Sequence, residues 1–288
     1  ELTDYLRRLP WRGPGSDRPA LPTPHESMPL VKAGRPRNVW RWQGAFGEEM
    51  MVFAAVVRIG PIPARFWGIL DRSSGRLVER SSKGSPFRRP EVEFRGDDLI
   101  IGSDLACANL AFGDATPIEV FTPAGSGPSA YTWTRKRCGM EVSGEVAVGE
   151  PTRSFEGRGV IDESAGYHDR RTSWRWSAGV GESVDGREVA WNLVEGINSS
   201  PTHSERTVWL DGLPREVGPV GFEGLETVVG DDGERLAFVA EAQRSRKESV
   251  PPLVSSEYRA PLGTFSGTVG GIELRSGIGV MESHEAVW

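Results

Sequence analysis

Val142-Ser-Gly-Glu-Val146 recurs about 120 residues further along as Phe265-Ser-Gly-Thr-Val269, and a second shared stretch follows each copy: Gly157-Arg-Gly-Val-Ile-Asp162 in one, Gly277-Ile-Gly-Val-Met-Glu282 in the other. Order and offset are kept, so the paired stretches read as two copies of one closing hairpin, each ending in Gly-x-Gly-Val-x-acid. A repeated supersecondary unit implies repeated architecture. Around these copies the chain breaks into about 16 short alternating or continuous apolar runs that stop at Gly, Asp or Pro, the pattern of antiparallel strands joined by turns. Hardly any segment places apolar residues at i, i+3, i+4 and i+7, so few helices are expected. The fold expected is all-β, two tandem antiparallel barrels or half-barrels of similar topology, because closure also removes exposed sheet edges. Chance likeness between Gly- and Val-rich strands is the competing reading.

Working outward, Asn38-Val-Trp-Arg-Trp42, Met50 to Ile59, Arg65 to Asp71 and Arg76 to Glu79 form a meander whose clearest turn is Asp71-Arg-Ser-Ser-Gly75. Residues 1–37 are expected to form an N-terminal arm, since Pro10 to Pro24 is rich in Pro, Gly and Arg. The first barrel-like half is then 38–149 and the second 150–288, with the boundary near Gly149.

The 288 residues carry 38% apolar and 26% charged side chains, enough for one large or two modest cores. The formal net charge of −6 is spread over interspersed signs, which argues against a nucleic-acid partner. The longest apolar stretch, Met50 to Val57, is far short of the roughly 20 residues of a membrane helix. The first residues show no hydrophobic leader, so the compartment expected is the cytoplasm. Cys107 and Cys138 match no metal or redox spacing and read as small core residues. No Gly-x-Ser-x-Gly elbow, phosphate loop or dinucleotide fingerprint occurs, so nucleotide-dependent chemistry is not expected and no cofactor is implied.

Three polar constellations could carry chemistry. Asp162-Glu-Ser-Ala-Gly-Tyr167-His168-Asp169-Arg-Arg171 puts a histidine beside carboxylates and a phenol, the groups proton transfer needs. The alternating run after it aims Trp174 and Trp176 at one face, where their rings could hold a cationic intermediate; a solvated loop beside two core tryptophans is the alternative. In Val189-Ala-Trp191-Asn192-Leu-Val-Glu195, Glu195 shares the face of Val189 and Trp191, so it either meets an arginine or has a raised pKa. At the C-terminus, Glu282 and His284 share the face of Ile278 and Val280, and the repeat aligns Glu282 with Asp162; a solvated end is the alternative. A metal site among His168, His284 and the carboxylates is not expected, because the spacings match no ligand motif. Pairs among Asp162, Glu163, Asp169 and Glu195 also admit a carboxylate-pair glycosidase.

Asn38-Val-Trp-Arg-Trp42, Arg65-Phe-Trp-Gly-Ile-Leu-Asp71, Asp162-Glu-Ser-Ala-Gly-Tyr-His168, Trp174-Arg-Trp-Ser-Ala-Gly179, Trp191-Asn-Leu-Val-Glu-Gly196 and Gly279-Val-Met-Glu-Ser-His284 resemble a bacterial family known only as a domain of unknown function, number 2804. Through it the chain is similar to the lipocalin-like (calycin-type) superfamily of carotenoid hydratases and natural-product cyclases with two tandem barrels. Tyr167-His168-Asp169 is similar to a Tyr-His-Asp run of the hydratases, although Arg170-Arg171 follows where Asn-Trp is expected. The resemblance implies an apolar substrate held in or between barrels and an acid that protonates an alkene or promotes ring closure. The expectation is therefore a cofactor-independent enzyme acting on a terpenoid or polyketide by hydration, cyclisation or isomerisation. Asp162, His168, Asp169, Glu195, Glu282 and His284 are its candidate catalytic residues, with Tyr167, Trp174, Trp176, Trp191 and Asn192 on the substrate. The rival is a carrier that binds an apolar ligand unchanged.

Overall fold

The computed structural model describes residues 9–15, 17–32, 34–59, 62–83, 89–124, 130–250 and 254–287. No helix forms among them; the chain is built from antiparallel strands in two large sheets and one small hairpin, Val31–Lys32 with Arg35–Pro36. The first sheet runs through Asn38–Phe46, Met50–Ile59, Ile62–Asp71, Arg76–Lys83, Val92–Arg95, Asp98–Gly102, Ala106–Phe112, Tyr131–Val148 and Arg153–Gly166. The second runs through Arg171–Ser183, Glu188–Glu195, Thr207–Leu210, Leu213–Glu216, Val220–Glu223, Thr227–Gly230, Arg235–Val250, Val254–Val269 and Ile272–Val287. Counted in chain order over these nine strands of each sheet, both follow the spatial order 4-3-2-1-9-8-7-6-5; in the first, Ile118–Pro123 also pairs with the start of Tyr131–Val148 and carries Trp11–Gly13 on its other side, which makes eleven strands. Each is an up-and-down meander closed between its first and last strands and open between its fourth and fifth. These are two tandem lipocalin-like half-barrels.

The repeat lies where the closing hairpins are. Tyr131–Val148 pairs with Arg153–Gly166, and Val254–Val269 with Ile272–Val287. Its Ser-Gly steps have a steric cause. A Cβ on Gly144 would lie 2.0 Å from the Asn109 carbonyl oxygen, and one on Gly267 2.3 Å from that of Arg235; both glycines have positive φ. At equivalent places, a long strand thus bends against its neighbour where no side chain fits.

The domain boundary is not where the sequence reading placed it. Arg153–Gly166 belongs to the first sheet, paired on one side with Tyr131–Val148 and on the other with Asn38–Phe46, and the chain passes to the second sheet at 167–170. Gly149 is only the tip of the first closing hairpin. The arm also differs from expectation. Trp11–Gly13 pairs with Ile118–Pro123, and Trp11, Leu21 and Met28 are buried with Phe121, Tyr131 and Tyr167. Cys138 is buried, whereas Cys107 is exposed rather than in the core; neither is bonded.

Met50–Ile59 shows how the cores are organised. Met50, Val52 and Ala54 face the interior of their own half-barrel, while Met51, Phe53 and Ala55 face the other half. A strand buried on both faces reads as a continuous apolar run rather than an alternating one. Leu193 and Trp191 with Phe265 fill the second half-barrel. Between the halves lies a third core, where Trp42, Phe66 and Val160 meet Trp176, Tyr258 and Val280. The candidate site is set into this shared layer.

Candidate functional site

Register aligns two rows of side chains across the shared layer. In the first half Trp42, Asp162 and Lys136 are neighbours on three adjacent strands. In the second, Trp176 pairs with Glu282, and two residues on, Trp174, His284 and Tyr258 form a second row. Asp162 and Glu282 occupy equivalent places, each beside a tryptophan of its half's first strand. Those tryptophans, Trp42 and Trp176, meet edge to face at 5.1 Å between ring centres. The repeated acid therefore arrives from both sides at one cavity of about 70 Å³, whose walls include Trp40, Trp174, Trp176, Asp162, Glu205 and Glu282.

Glu282 is 3% exposed. Trp174 Nε1 donates to its Oε1 and the Tyr258 hydroxyl to its Oε2, both at 2.7 Å. Burial pushes its carboxyl up to about 7, against those two hydrogen bonds, which favour the ionised form. Opposite it, the buried Lys136 ammonium donates to Asp162 and lies 3.4 Å from Glu205. Burial alone would lower its pKa, but the two carboxylates outweigh burial and hold it above the ordinary lysine value. Burial raises Glu205 despite Lys136. Asn192 fixes the arrangement from behind: its Oδ1 accepts from Trp176 Nε1 at 2.7 Å and its Nδ2 donates to the Glu205 carbonyl at 2.9 Å.

Of the residues proposed from sequence, Asp162, His168, Trp174, Trp176 and Glu282 line this cavity. Asn192 stands behind its wall, and His284 lies on the far side, its ring 4.4 Å from that of Trp174 and its Nε2 2.8 Å from Ser256 Oγ. Burial lowers both His168 and His284 to about 4, so both are neutral near pH 7.

Four proposed residues lie elsewhere. Tyr167 points into the arm cluster and donates to the Pro29 carbonyl, because the chain is leaving the first sheet there. Asp169 is at the surface, 3.2 Å from Arg35. Trp191 faces the interior of the second half-barrel, against Phe265. Glu195, at the end of its strand, pairs with Arg175 in solvent. Glu163 points away from the cavity toward His25 and Arg41. No pair among Asp162, Glu163, Asp169 and Glu195 therefore assembles, and the glycosidase reading loses its basis.

Sequence reasoning missed Lys136, Glu205, Trp40 and Tyr258. Lys136 stands in Arg135-Lys136-Arg137, which reads as a solvated charge run; its alternation with Thr132, Thr134 and Cys138 was the available signal. Glu205 follows the Ser/Thr-rich segment 199–204 and offers no periodicity at all.

No curated protein matches the chain in sequence. Among solved structures, it is similar to a protein of Nitrosomonas europaea described as an AttH (12% identity, 92% of this chain and 98% of the other, TM-score 0.47). It is also similar to kievitone hydratase of Nectria haematococca (13% identity, 93% and 94%, TM-score 0.40) and to CghA bound to Sch210972 (10% identity, 87% and 88%, TM-score 0.41). In sequence, residues 106–288 match the model of the domain of unknown function DUF2804. Spanning more than half of the chain and both closing hairpins, that match makes this protein a member of the DUF2804 family.

Proposed function

We propose that the protein is an enzyme that acts on an apolar small molecule, of terpenoid or polyketide type, by acid-promoted hydration, cyclisation or isomerisation. The observation that carries this reading is Glu282: a buried carboxyl with a pKa near 7, oriented by two hydrogen bonds on the wall of a tryptophan-lined cavity. A carrier needs only shape and apolar surface. A buried acid that is half protonated at neutral pH is costly and is what a general acid requires.

In this scheme protonated Glu282 gives its proton to an alkene carbon, leaving a carbocation on the adjacent carbon and a carboxylate on the protein. The ring faces of Trp40, Trp174 and Trp176 stabilise the cation. Water, or a nucleophile within the same molecule, bonds to it and loses a proton, which returns to the carboxylate; loss of a carbon-bound proton instead gives the isomer. Asp162, held by the Lys136 ammonium, presents an oriented carboxyl group on the opposite wall.

The test is carbon-bound deuterium uptake in D2O by a panel of unsaturated terpenoids and polyketides, read by mass spectrometry. The wild-type chain should label a panel member, and Glu282→Gln should lower the rate by roughly 10²–10⁴-fold. Ligands that bind without any labelling, in wild type and variant alike, would return the protein to the carrier reading.

A further inference from the structure

A cavity of about 70 Å³ accommodates only the reacting end of such a molecule. The rest has to lie somewhere, and a second chamber of about 190 Å³ adjoins the first, sharing Trp40, Val57 and Ile59 with it. Tyr258 and His284 line it from the far side of Glu282. Its chemistry differs from that of the first. Trp40, Phe66 and Tyr258 give it an aromatic wall, and Arg65, Lys83, Arg244 and Arg246 bring four cations.

Arg244 is the unusual member, at 4% exposed. Its guanidinium lies 4.6 Å from the Phe66 ring centre and 6.0 Å from that of Tyr258. Its Nη1 donates to Glu79 and its Nη2 to Ser81 Oγ, and the buried Nε–H has no acceptor among the described residues. Arg246 and Lys83 share Glu248 at the mouth, at 3.3 and 3.6 Å. The charged groups that line the chamber among the described residues are thus Arg65, Lys83, Arg244 and Arg246 against Glu248, and with Glu79, which holds Arg244, counted in, two positive charges remain in excess. His284, also facing it, is neutral near pH 7. A buried donor without an acceptor and an uncompensated cation beside an aromatic wall are complementary to a carboxylate on an apolar chain.

We propose that the second chamber is the anion subsite of this protein: the ligand is an apolar molecule with a carboxylate at one end, seated on Arg244, and its body runs past Trp40 to place its other end at Glu282. The proposal rests on the reading of Glu282 as the reacting group for its second half only. The carboxylate subsite stands on the chamber alone.

The probes are dodecanoate and dodecanol, titrated against the full chain at pH 7.5 and followed by tryptophan fluorescence. Wild type should bind dodecanoate at least tenfold more tightly than dodecanol. Arg244→Met should bring that ratio to about one with dodecanol affinity unchanged, and Arg246→Gln, at the exposed mouth, should lower it part of the way. Equal affinities for the acid and the alcohol in wild type overturn the subsite whether or not the variants fold, as does an Arg244→Met protein that keeps the preference. Glu282→Gln should retain the preference. A preference that survives while no unsaturated ligand exchanges deuterium leaves the subsite standing and removes the catalytic reading, so the two fail separately.

Discussion

At the scale of single residues, burial decides the protonation states, and the consequences can be measured. Glu282 has a folded pKa near 7 against an ordinary value of 4.5, so the folded protein binds more protons than the unfolded chain between those pH values. Its contribution to stability is fully present below pH 4.5 and is lost as pH rises through 7. The shift corresponds to about 3 kcal/mol. His168 and His284, lowered to about 4 from 6.5, act in the opposite direction between those values and obscure the trend in wild type alone. The difference between wild type and Glu282→Gln cancels them. Urea denaturation at pH 4.5 and pH 8 should show wild type losing about 3 kcal/mol relative to the variant, and a pH-independent difference would contradict the raised pKa. Lys136 gives a second case. Removing one member of a buried ionic cluster leaves uncompensated charge, so Lys136→Met should cost roughly 3–5 kcal/mol in the same assay, and adding Asp162→Asn should recover part of it. Legibility follows the same physics. Asp162, Glu282 and the two tryptophans were readable because repeat and alternation put acids and rings on one face. Lys136 and Glu205 were not, because a buried charge is identified by partners from distant parts of the chain.

At the scale of elements, the closing hairpins carry the information. The repeat was legible from the sequence, as was the meander Asn38–Phe46 to Arg76–Lys83, whereas the burial of Met50–Ile59 on both faces emerged only from the packing of the two halves. The boundary was misplaced because a glycine at a hairpin tip looks like one in a linker. The repeat itself held the better answer: if Gly-x-Gly-Val-x-acid closes the second half at its end, it closes the first half there too, just before 167–170. The Ser-Gly steps supply the test. Gly144→Ala and Gly267→Ala each drive a methyl into a neighbouring strand's carbonyl at a positive φ, and each should cost roughly 1–3 kcal/mol. Gly149→Ala has a positive φ but open space around it, so its cost in thermal denaturation should be the smallest of the three. Equal costs at all three positions would mean that the close approach of the strands is not what demands glycine.

At the scale of the molecule, the two half-barrels share a core, and the site exists only where they meet. Trp176, Trp209, Tyr258, Leu262 and Val280 of the second half are buried in the layer that also holds Trp42, Phe53 and Phe66 of the first. Burying each large apolar side chain is worth roughly 1.5–3 kcal/mol. Five of them together match the net stability of a whole domain, about 5–15 kcal/mol. Each half therefore draws stability of that order from the other, although each has its own interior. The arm strengthens the same link, since Arg12 donates to the Ser204 carbonyl at 2.6 Å and to Thr207 Oγ1 at 3.0 Å, across from one half to the other. The intact chain should unfold in a single transition, with near- and far-ultraviolet circular dichroism coincident. Residues 171–288 produced alone should aggregate, or bind a hydrophobic dye and lack a cooperative transition. A monomeric second half with its own sharp melting curve would show that the halves are independent, and that Asp162 and Glu282 face one another across a contact that stability does not require.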